Sequence, residues 1–432
     1  MKAAIQGNKR PSRWWLALAA LALLALAAWW IASRPALPLQ AAPAQADTRL
    51  VARGANLARL GMCAACHTVD AARPYAGGLP IDTPFGTVYS TNITPDARTG
   101  IGGWSEAAFT RSMRQGVSRD GHLLYPAFPY NHYTQLAQDD IRALYAYVMT
   151  RPALHAPARE NRMTFPFGWR PLLAFWNLLY LDESPWRDDP RQPAQWNRGA
   201  YVANTLAHCS ACHTPRTLLG GPDLKRRFDG GDAGNWYAPA LNATSPSPVP
   251  WTREHLATYL RTGLAPGHAI AGGPMQDVVR NLGQADAADV AALSTYIHGD
   301  LAQAPARAAP AAGPLPAPAA NDSDLERMRL GHAMYAMACA SCHDAGRGAS
   351  SGAALQLQQA VALYDPDPRS LVRIIRDGIA PPEGEPGRQM PGFATMMNDA
   401  QVVALAAYLR RYGAQAEAWP ELEQTVQKAK QP

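Results

Sequence analysis

Cys63-Ala64-Ala65-Cys66-His67, Cys209-Ser210-Ala211-Cys212-His213 and Cys339-Ala340-Ser341-Cys342-His343 decide the reading of this chain, because one short pattern occurs three times and uses all six cysteines. Two thiols one helical turn apart, followed at once by an imidazole, suit thioether attachment of a haem through its two vinyl groups, with the histidine as fifth iron ligand. A zinc site or a redox dithiol also uses the Cys-x-x-Cys spacing. Three repeats, each completed by His and leaving no cysteine for a disulfide, favour haem. The expectation is three covalently bound haem c groups, with Cys63, Cys66, Cys209, Cys212, Cys339 and Cys342 as attachment points and His67, His213 and His343 as proximal ligands.

Working outward, the repeat extends well beyond the cysteines. A helical stretch with one glycine precedes each pair (Gly54, Gly199, Gly331), and each unit closes on an apolar stripe with helical spacing: Ile141, Leu144, Tyr145, Val148; Val290, Leu293, Ser294, Ile297; Val402, Leu405, Ala406, Leu409. A tyrosine follows at a fixed place in every stripe (Tyr147, Tyr296, Tyr408), so a side-chain-free glycine and a large ring would let the first and last helices of each unit cross closely. A middle helix ends at Gly116, Gly263 and Gly378. The fold expected is all-α: three tandem units at 47–150, 197–300 and 323–413, each with its own core, behind an N-terminal segment.

That segment, 1–46, holds Lys2, Lys9, Arg10, Arg13 and Arg34 and no acid, and so accounts for nearly all of the net charge of +6. The remaining chain is close to neutral and offers no basic stripe for nucleic acid. An apolar fraction of 47% with 17% charged residues excludes wholesale disorder. Trp14 to Ala32 is free of charge and edged by Trp pairs, which suits a retained membrane span; a signal peptide cleaved after Ala44-Gln45-Ala46 is the rival. Both place the body of the protein outside the cytoplasm, on the periplasmic side of the bacterial inner membrane, with the N-terminus cytoplasmic.

Two stretches stand outside the repeat. Residues 151–196 form an aromatic-rich connector, too short in its apolar run to span a bilayer, and read either as a helix packed over a neighbouring unit or as a partner or quinone-side surface. Residues 301–322, with Pro305, Pro310, Pro314, Pro316 and Pro318, read as a semi-stiff tether that leaves the third unit less rigidly placed, and 414–432 as a polar tail.

The sixth iron ligand sets what each haem does, and a thioether there raises the potential and suits electron transfer. Met275 and Met390 stand the same distance after Gly263 and Gly378, and are the expected sixth ligands of the second and third haems, with Met396 and Met397 as fallbacks in the third unit. In the first unit the count falls on Phe128, which cannot ligate. His132, four residues on, is the candidate; Met149, Met163 or an open site are the alternatives.

With RGANLARLGMCAACHT at 53–68 and RGAYVANTLAHCSACHT at 198–214, the chain resembles the three-haem cytochrome c subunits of bacterial membrane-bound periplasmic dehydrogenases, which implies tandem class I cytochrome c domains. Within that group, quinoprotein alcohol dehydrogenase and flavin gluconate dehydrogenase cytochromes typically carry methionine at the Phe128 position. The strings YPAFPY (125–130), FPFGWRPLLAFWNLLYL (165–181) and WYAPALNA (236–243) are more similar to the cytochromes that accompany molybdenum hydroxylases of the nicotinate, isoquinoline and aldehyde type. That resemblance implies a molybdopterin catalytic subunit and a small iron-sulfur subunit as partners. The expected function is an electron conduit from a dehydrogenase to quinone, a soluble cytochrome or an oxidase, with no substrate-converting site in this chain. The cytochrome c subunit of a quinoprotein alcohol or flavin gluconate dehydrogenase, a terminal-oxidase subunit, and a haem enzyme or gas sensor with an open first site are the alternatives.

Overall fold

The computed structural model describes residues 13–32, 34–40, 47–265, 268–305, 313–344, 356–381 and 390–429. Helix α1 (Arg13–Ala32) leads into a strap, residues 34–40, that runs over the first unit. Among the described residues no helix is long and apolar enough to cross a membrane, several side chains of α1 lying outside that description. The expected cleavage site at Ala44 to Ala46 also falls outside it.

The first unit comprises α2 (Thr48–Leu60), α3 (Cys63–His67), the hairpin β1 (Pro80–Thr83) and β2 (Gly86–Tyr89), α4 (Glu106–Gln115), α5 (Tyr130–Tyr133) and α6 (Gln138–Met149). The connector adds β3 (Arg162–Met163), antiparallel to β2, and α7 (Leu172–Tyr180). The second unit repeats the plan with α8 (Ala194–Asn204), α9 (Ser210–His213), β4 (Gly231–Ala233) paired to β5 (Trp236–Ala238), α10 (Arg253–Thr262), β6 (Leu264–Ala265) paired to β7 (Ala269–Ile270), α11 (Pro274–Gly283) and α12 (Ala287–Leu301). The third has α13 (Leu325–Ala338), α14 (Ala340–His343), α15 (Arg369–Asp377), α16 (Asp399–Tyr408) and α17 (Leu422–Lys428).

The middle helices stop where the sequence places their glycines, for a backbone reason. Gly116 (φ 61°) and Gly263 (φ 74°) close α4 and α10 in the left-handed conformation, and their N–H groups donate to Ser112 and Tyr259. At the other ends Ser105 and Thr252 accept from the Ala108 and His255 amides. The first and last helices of each unit cross through the earlier glycines. A Cβ on Gly54 would lie 2.0 Å from the Ala143 carbonyl oxygen, on Gly199 2.0 Å from that of Ala292, and on Gly331 2.2 Å from that of Ala404, with Tyr147, Tyr296 and Tyr408 alongside.

The core differs from expectation. Leu57, Leu60, Ile141 and Leu144 of the first unit join Val202, Leu206, Val290 and Leu293 of the second in one continuous core, whereas the third unit has a separate one around Met328, Tyr335, Leu371, Val402 and Leu405. The seam between the first two units is a pseudo-twofold. Asn56 donates to Asp289 (2.7 Å) and accepts from the Asp286 amide (2.8 Å); Tyr201, at the matching place on α8, donates to Asp140 (2.6 Å) and accepts from the Ala137 amide (3.0 Å). Each buried aspartate also holds an arginine of its own unit, Arg53 on Asp140 and Arg198 on Asp289. The third unit has Gln401 where the others have Asp, and Leu330 where they have Arg, so the pattern cannot extend to it. Tyr201→Phe strips a buried carboxylate and a part-buried amide of one partner each and should cost about 1–3 kcal/mol, read from the midpoint of guanidinium unfolding.

The third unit is not held by its tether alone. Ser370 Oγ donates to the Tyr237 carbonyl (2.8 Å) and accepts from its amide (3.1 Å), Arg369 pairs with Asp232, and Gln276 donates to the Ala380 carbonyl (3.0 Å). The described part of the linker is itself fastened down, with Leu315 buried in the third core and the Pro316 carbonyl accepting from Tyr408. The expected polar tail also folds back: Trp419, Leu422 and Val426 bury against the same core.

Candidate haem-binding sites

In the first two units the cysteine turn is entered through a left-handed residue that is not glycine, Met62 (φ 51°) and His208 (φ 35°), which swings the chain sharply out of the preceding helix. All six cysteines are free. Burial pushes Cys63 and Cys209 up to about 12 and Cys339 up to about 11, opposite to the depression that makes a reactive dithiol. Among the described residues no three His, Cys, Asp or Glu side chains converge as a metal-ion cage. Among the described residues each triad thus offers two thiols and one imidazole without the further donor of a closed zinc site, a set that suits thioether attachment and iron ligation of a haem.

The proximal histidines are oriented for that task. His67 Nδ1 lies 2.7 Å from the Thr91 carbonyl oxygen and His213 Nδ1 2.7 Å from that of Pro239. A carbonyl only accepts, so Nδ1 carries the proton and the Nε2 lone pair is left for iron. Desolvation lowers both imidazoles, with the carbonyl contact working against it. They remain neutral and available to a metal.

The loops that supply those carbonyls repeat as well, in a way the sequence reading missed. Thr68 accepts from the Tyr75 amide and Thr214 from that of Phe228, each at 3.0 Å, and the glycine two residues after each aromatic returns to the histidine: Gly77 N–H to His67 O, Gly230 N–H to His213 O. Tyr75, Phe228, Gly77 and Gly230 all have positive φ. The available signal was an aromatic-x-Gly-Gly string after each Cys-x-x-Cys-His-Thr, at 75–78 and 228–231.

In the second unit Met275 is half-buried against the shared core at the start of α11, behind Gly272 and Gly273, which lie on the Trp236 ring. The short ladder before it fixes the register. Ala271 N–H donates to Gly263 O in the second unit and Leu124 N–H to Gly116 O in the first, so Phe128 and Met275 stand equally far beyond the ladder. Phe128 is half-buried, with its ring 5.4 Å from that of Tyr133.

In the third unit Met390 pairs with Ile379 through both backbone bonds (2.9 and 3.1 Å), the ladder place held by Ile270 and Leu123 in the others. The count that equates Met390 with Met275 thus rests on a longer turn, of which residues 382–389 lie outside the described part. Met390 is half-buried against the third core; Met397 is fully within it, and Met396 is exposed.

His132 leans on the second unit. Its Nδ1 is 3.1 Å from the Asn204 carbonyl oxygen, its ring 6.1 Å from His208, and Arg216 and Arg227 contribute to its field. Tyr133, the next residue, is the α5 side chain that feels Cys63 and Cys66. Met149 packs on the shared core, and Met163 on a small cluster with Val117, Leu123 and Tyr125. The first two sites are neighbours: Cys66 is raised by burial first, then by Asp277 and Cys212 of the second unit.

Burial lowers His132 to about 4, and burial with His132 beside it lowers His208 to about 3. Both are neutral when folded but take up protons near about pH 6.5 when unfolded, so the unfolded chain binds more protons below that pH and acid destabilises the fold. For His208 alone the loss between about pH 6.5 and 5 should be about 2 kcal/mol, and His208→Gln should flatten that part of a stability–pH curve from denaturant titrations.

Comparison with known proteins agrees with this geometry. Residues 51–152 match the cytochrome c family, and residues 326–409 match subunit III of the cbb3-type cytochrome c oxidase. A nicotinate dehydrogenase subunit of Pseudomonas putida is 41% identical over 96% of this chain, which spans only 35% of that relative's length. The fructose dehydrogenase cytochrome subunit of Gluconobacter japonicus is 34% identical over 88% of this chain and 83% of its own. The gluconate 2-dehydrogenase cytochrome c subunit of Pantoea cypripedii is 35% identical, over 85% and 86%.

Proposed function

Because the chain belongs to the family of cytochrome c subunits of dehydrogenase complexes, proteins of electron transfer, we propose that it holds three haems c and passes electrons from a periplasmic catalytic subunit to quinone or a downstream cytochrome or oxidase. The observation that carries this is the repeated cysteine turn whose histidine is fixed through Nδ1 in the first two units, with the third turn following the same sequence. Covalent haem supplies a one-electron ferric–ferrous couple. The chain's own residues do the rest. Cys63, Cys66, Cys209, Cys212, Cys339 and Cys342 would form the thioethers; His67, His213 and His343 would hold the iron, with Nε2 the nitrogen left free at His67 and His213; Met275 and Met390 would close the second and third sites. The apolar cores keep water out, which holds reorganisation low and tunes potential through burial.

Units 47–150, 197–300 and 323–413 are each read as a cytochrome c domain; the second is supported by its element-by-element likeness to the first. The likeness to the nicotinate dehydrogenase subunit along nearly the whole chain favours a molybdopterin partner with an iron-sulfur subunit over a quinoprotein or flavin partner. The match of 326–409 to a cbb3-type oxidase subunit favours, as a second reading, direct delivery to an oxidase by the third unit. The uncharged run Trp14 to Ala32, about 30 Å long as a helix, is read as an anchor with the N-terminus in the cytoplasm.

The test is a pyridine haemochrome assay on protein purified from solubilised membranes. Three haems per chain that resist acid-acetone extraction are expected, and one or two, or freely extracted haem, overturns the assignment. Molybdenum in the co-purifying subunits is expected; a quinone cofactor or flavin in its place reassigns the partner.

A further inference from the structure

Helix α7 buries Leu173 and Ala174 and turns Phe175, Leu178 and Leu179 outward, three residues at one-turn spacing on a single exposed stripe. The stripe does not stand alone. The loop before α7 exposes Phe165 (94%), and the 217–221 loop of the second unit exposes Leu218 (99%) and Leu219. These pieces are locked together. Trp176 Nε1 donates to the Leu219 carbonyl (3.2 Å), the Tyr180 and Thr217 hydroxyls are 2.6 Å apart, Phe167 packs on Phe85 at 4.7 Å, and Gly220 lies on the Phe85 ring. These contacts hold the exposed apolar side chains of the connector and the 217–221 loop in one neighbourhood. Exposed apolar side chains gathered in this way mark a surface for a non-aqueous neighbour.

The neighbour is named by α1, which lies against α7. Helix α1 exposes Trp14, Leu16, Leu18, Leu21, Leu23, Leu26 and Trp29 with no polar side to turn to water. Its exit from the body is fixed by the strap: Leu37 N–H donates to Arg119 O, Gln40 N–H to Gly103 O, and Arg111 to Pro35 O. A surface beside the point where an apolar helix leaves the domain lies at the level of the bilayer. Lys225 and Arg226, exposed next to the equally exposed Leu224 a few residues beyond the 217–221 loop, offer cations to lipid phosphates, Arg226 also pairing with Asp229 (3.4 Å).

We propose that the face made by Phe165, Phe175, Leu178, Leu179, Leu218 and Leu219 is seated in the interfacial layer of the bilayer that holds α1, so that the second unit, as well as the first, is pressed to the membrane. This rests on the anchor reading of α1. It also implies that residues 34–40 belong to the working protein, since cleavage after Ala46 would remove the strap.

The test uses the full haem-loaded chain in vesicles of phosphatidylethanolamine and phosphatidylglycerol. Nitroxide labels at Leu178→Cys and Leu218→Cys, with Met337→Cys on the third unit as control, are read by power-saturation paramagnetic resonance against oxygen and a water-soluble nickel chelate. Oxygen accessibility should rise several-fold over nickel at Leu178 and Leu218 and not at Met337. Amide exchange of the unsubstituted protein should slow at 172–181 and 217–221 on moving from dilute detergent into vesicles, which keeps the test intact if a labelled variant misfolds. Protein that floats with its vesicles while both labels stay open to nickel overturns the seated face and leaves the anchor standing. Protein that does not float overturns the anchor and this proposal with it. Labels shielded only after the catalytic subunit is added make the face a protein dock instead, which also overturns the proposal.

Discussion

Gly199→Ala should cost the protein two haems, and Gly331→Ala only one. In both cases the new Cβ is driven into a backbone carbonyl of the crossing helix, 2.0 Å from Ala292 O or 2.2 Å from Ala404 O, and into the Cβ of Tyr296 or Tyr408. No rotamer relieves an overlap with main chain, so the helices must separate, at a cost above roughly 4 kcal/mol. The outcomes differ because the cores differ. α8 and α12 share one core with α2 and α6, so parting them loosens both of the first two sites, while α13 and α16 close a core of their own. Gly54→Ala, with its Cβ 2.0 Å from Ala143 O, should behave like Gly199→Ala. Gly168→Ala is the control, its nearest contact being Met163 Cβ at 3.7 Å, and should stay within about 0.5 kcal/mol of the parent. Haem per chain by pyridine haemochrome is the measurement; equal losses from Gly199→Ala and Gly331→Ala would show that the cores are not organised this way.

That crossing was legible in the sequence because a glycine and a tyrosine recur at fixed places on two amphipathic stripes, and helical geometry turns such spacing into a contact. The middle helices were legible for the same reason, each ending at a glycine with positive φ, in the left-handed helical conformation at Gly116 and Gly263. The pseudo-twofold seam was not. Asn56 and Tyr201 occupy one position but share no chemistry, and their partners Asp289 and Asp140 lie in the other unit, so local periodicity carries no trace of the pairing. The tail was misread because Trp419, Leu422 and Val426 are few among polar neighbours, and only the third core reveals that they fall on one side. Of the candidate sites, the cysteines and histidines followed from the motif alone. The ligand loops did not, since counting from a glycine assumes equal turns and the third unit breaks that assumption.

Substitution of the distal methionines should therefore separate the three sites. Met275→Ala should lower one haem potential by on the order of a tenth of a volt or more, within the span axial ligands command, because thioether favours the ferrous state and its loss leaves water or an open position. Met390→Ala should do the same to a second haem, and Met397→Ala should leave all potentials in place while destabilising the third unit by about 2–5 kcal/mol, as core truncation does. The first haem should already stand apart in the unsubstituted protein. Phe128 fills the place that Met275 holds, and the neighbouring His132 has its Nδ1 on the Asn204 carbonyl, the arrangement that leaves Nε2 free at His67 and His213. With His132 as its sixth ligand the first haem would titrate lowest and lack the red sulfur-to-iron absorption, so that band would correspond to two haems in the parent, one in either methionine variant and none in the double variant. His132→Ala should open the first site and raise its potential. Three haems with the sulfur band in the parent, or a His132→Ala spectrum identical to it, would instead give the place to Met149 or Met163; Met163 packs against Leu123 and Tyr125, in the loop that carries Phe128.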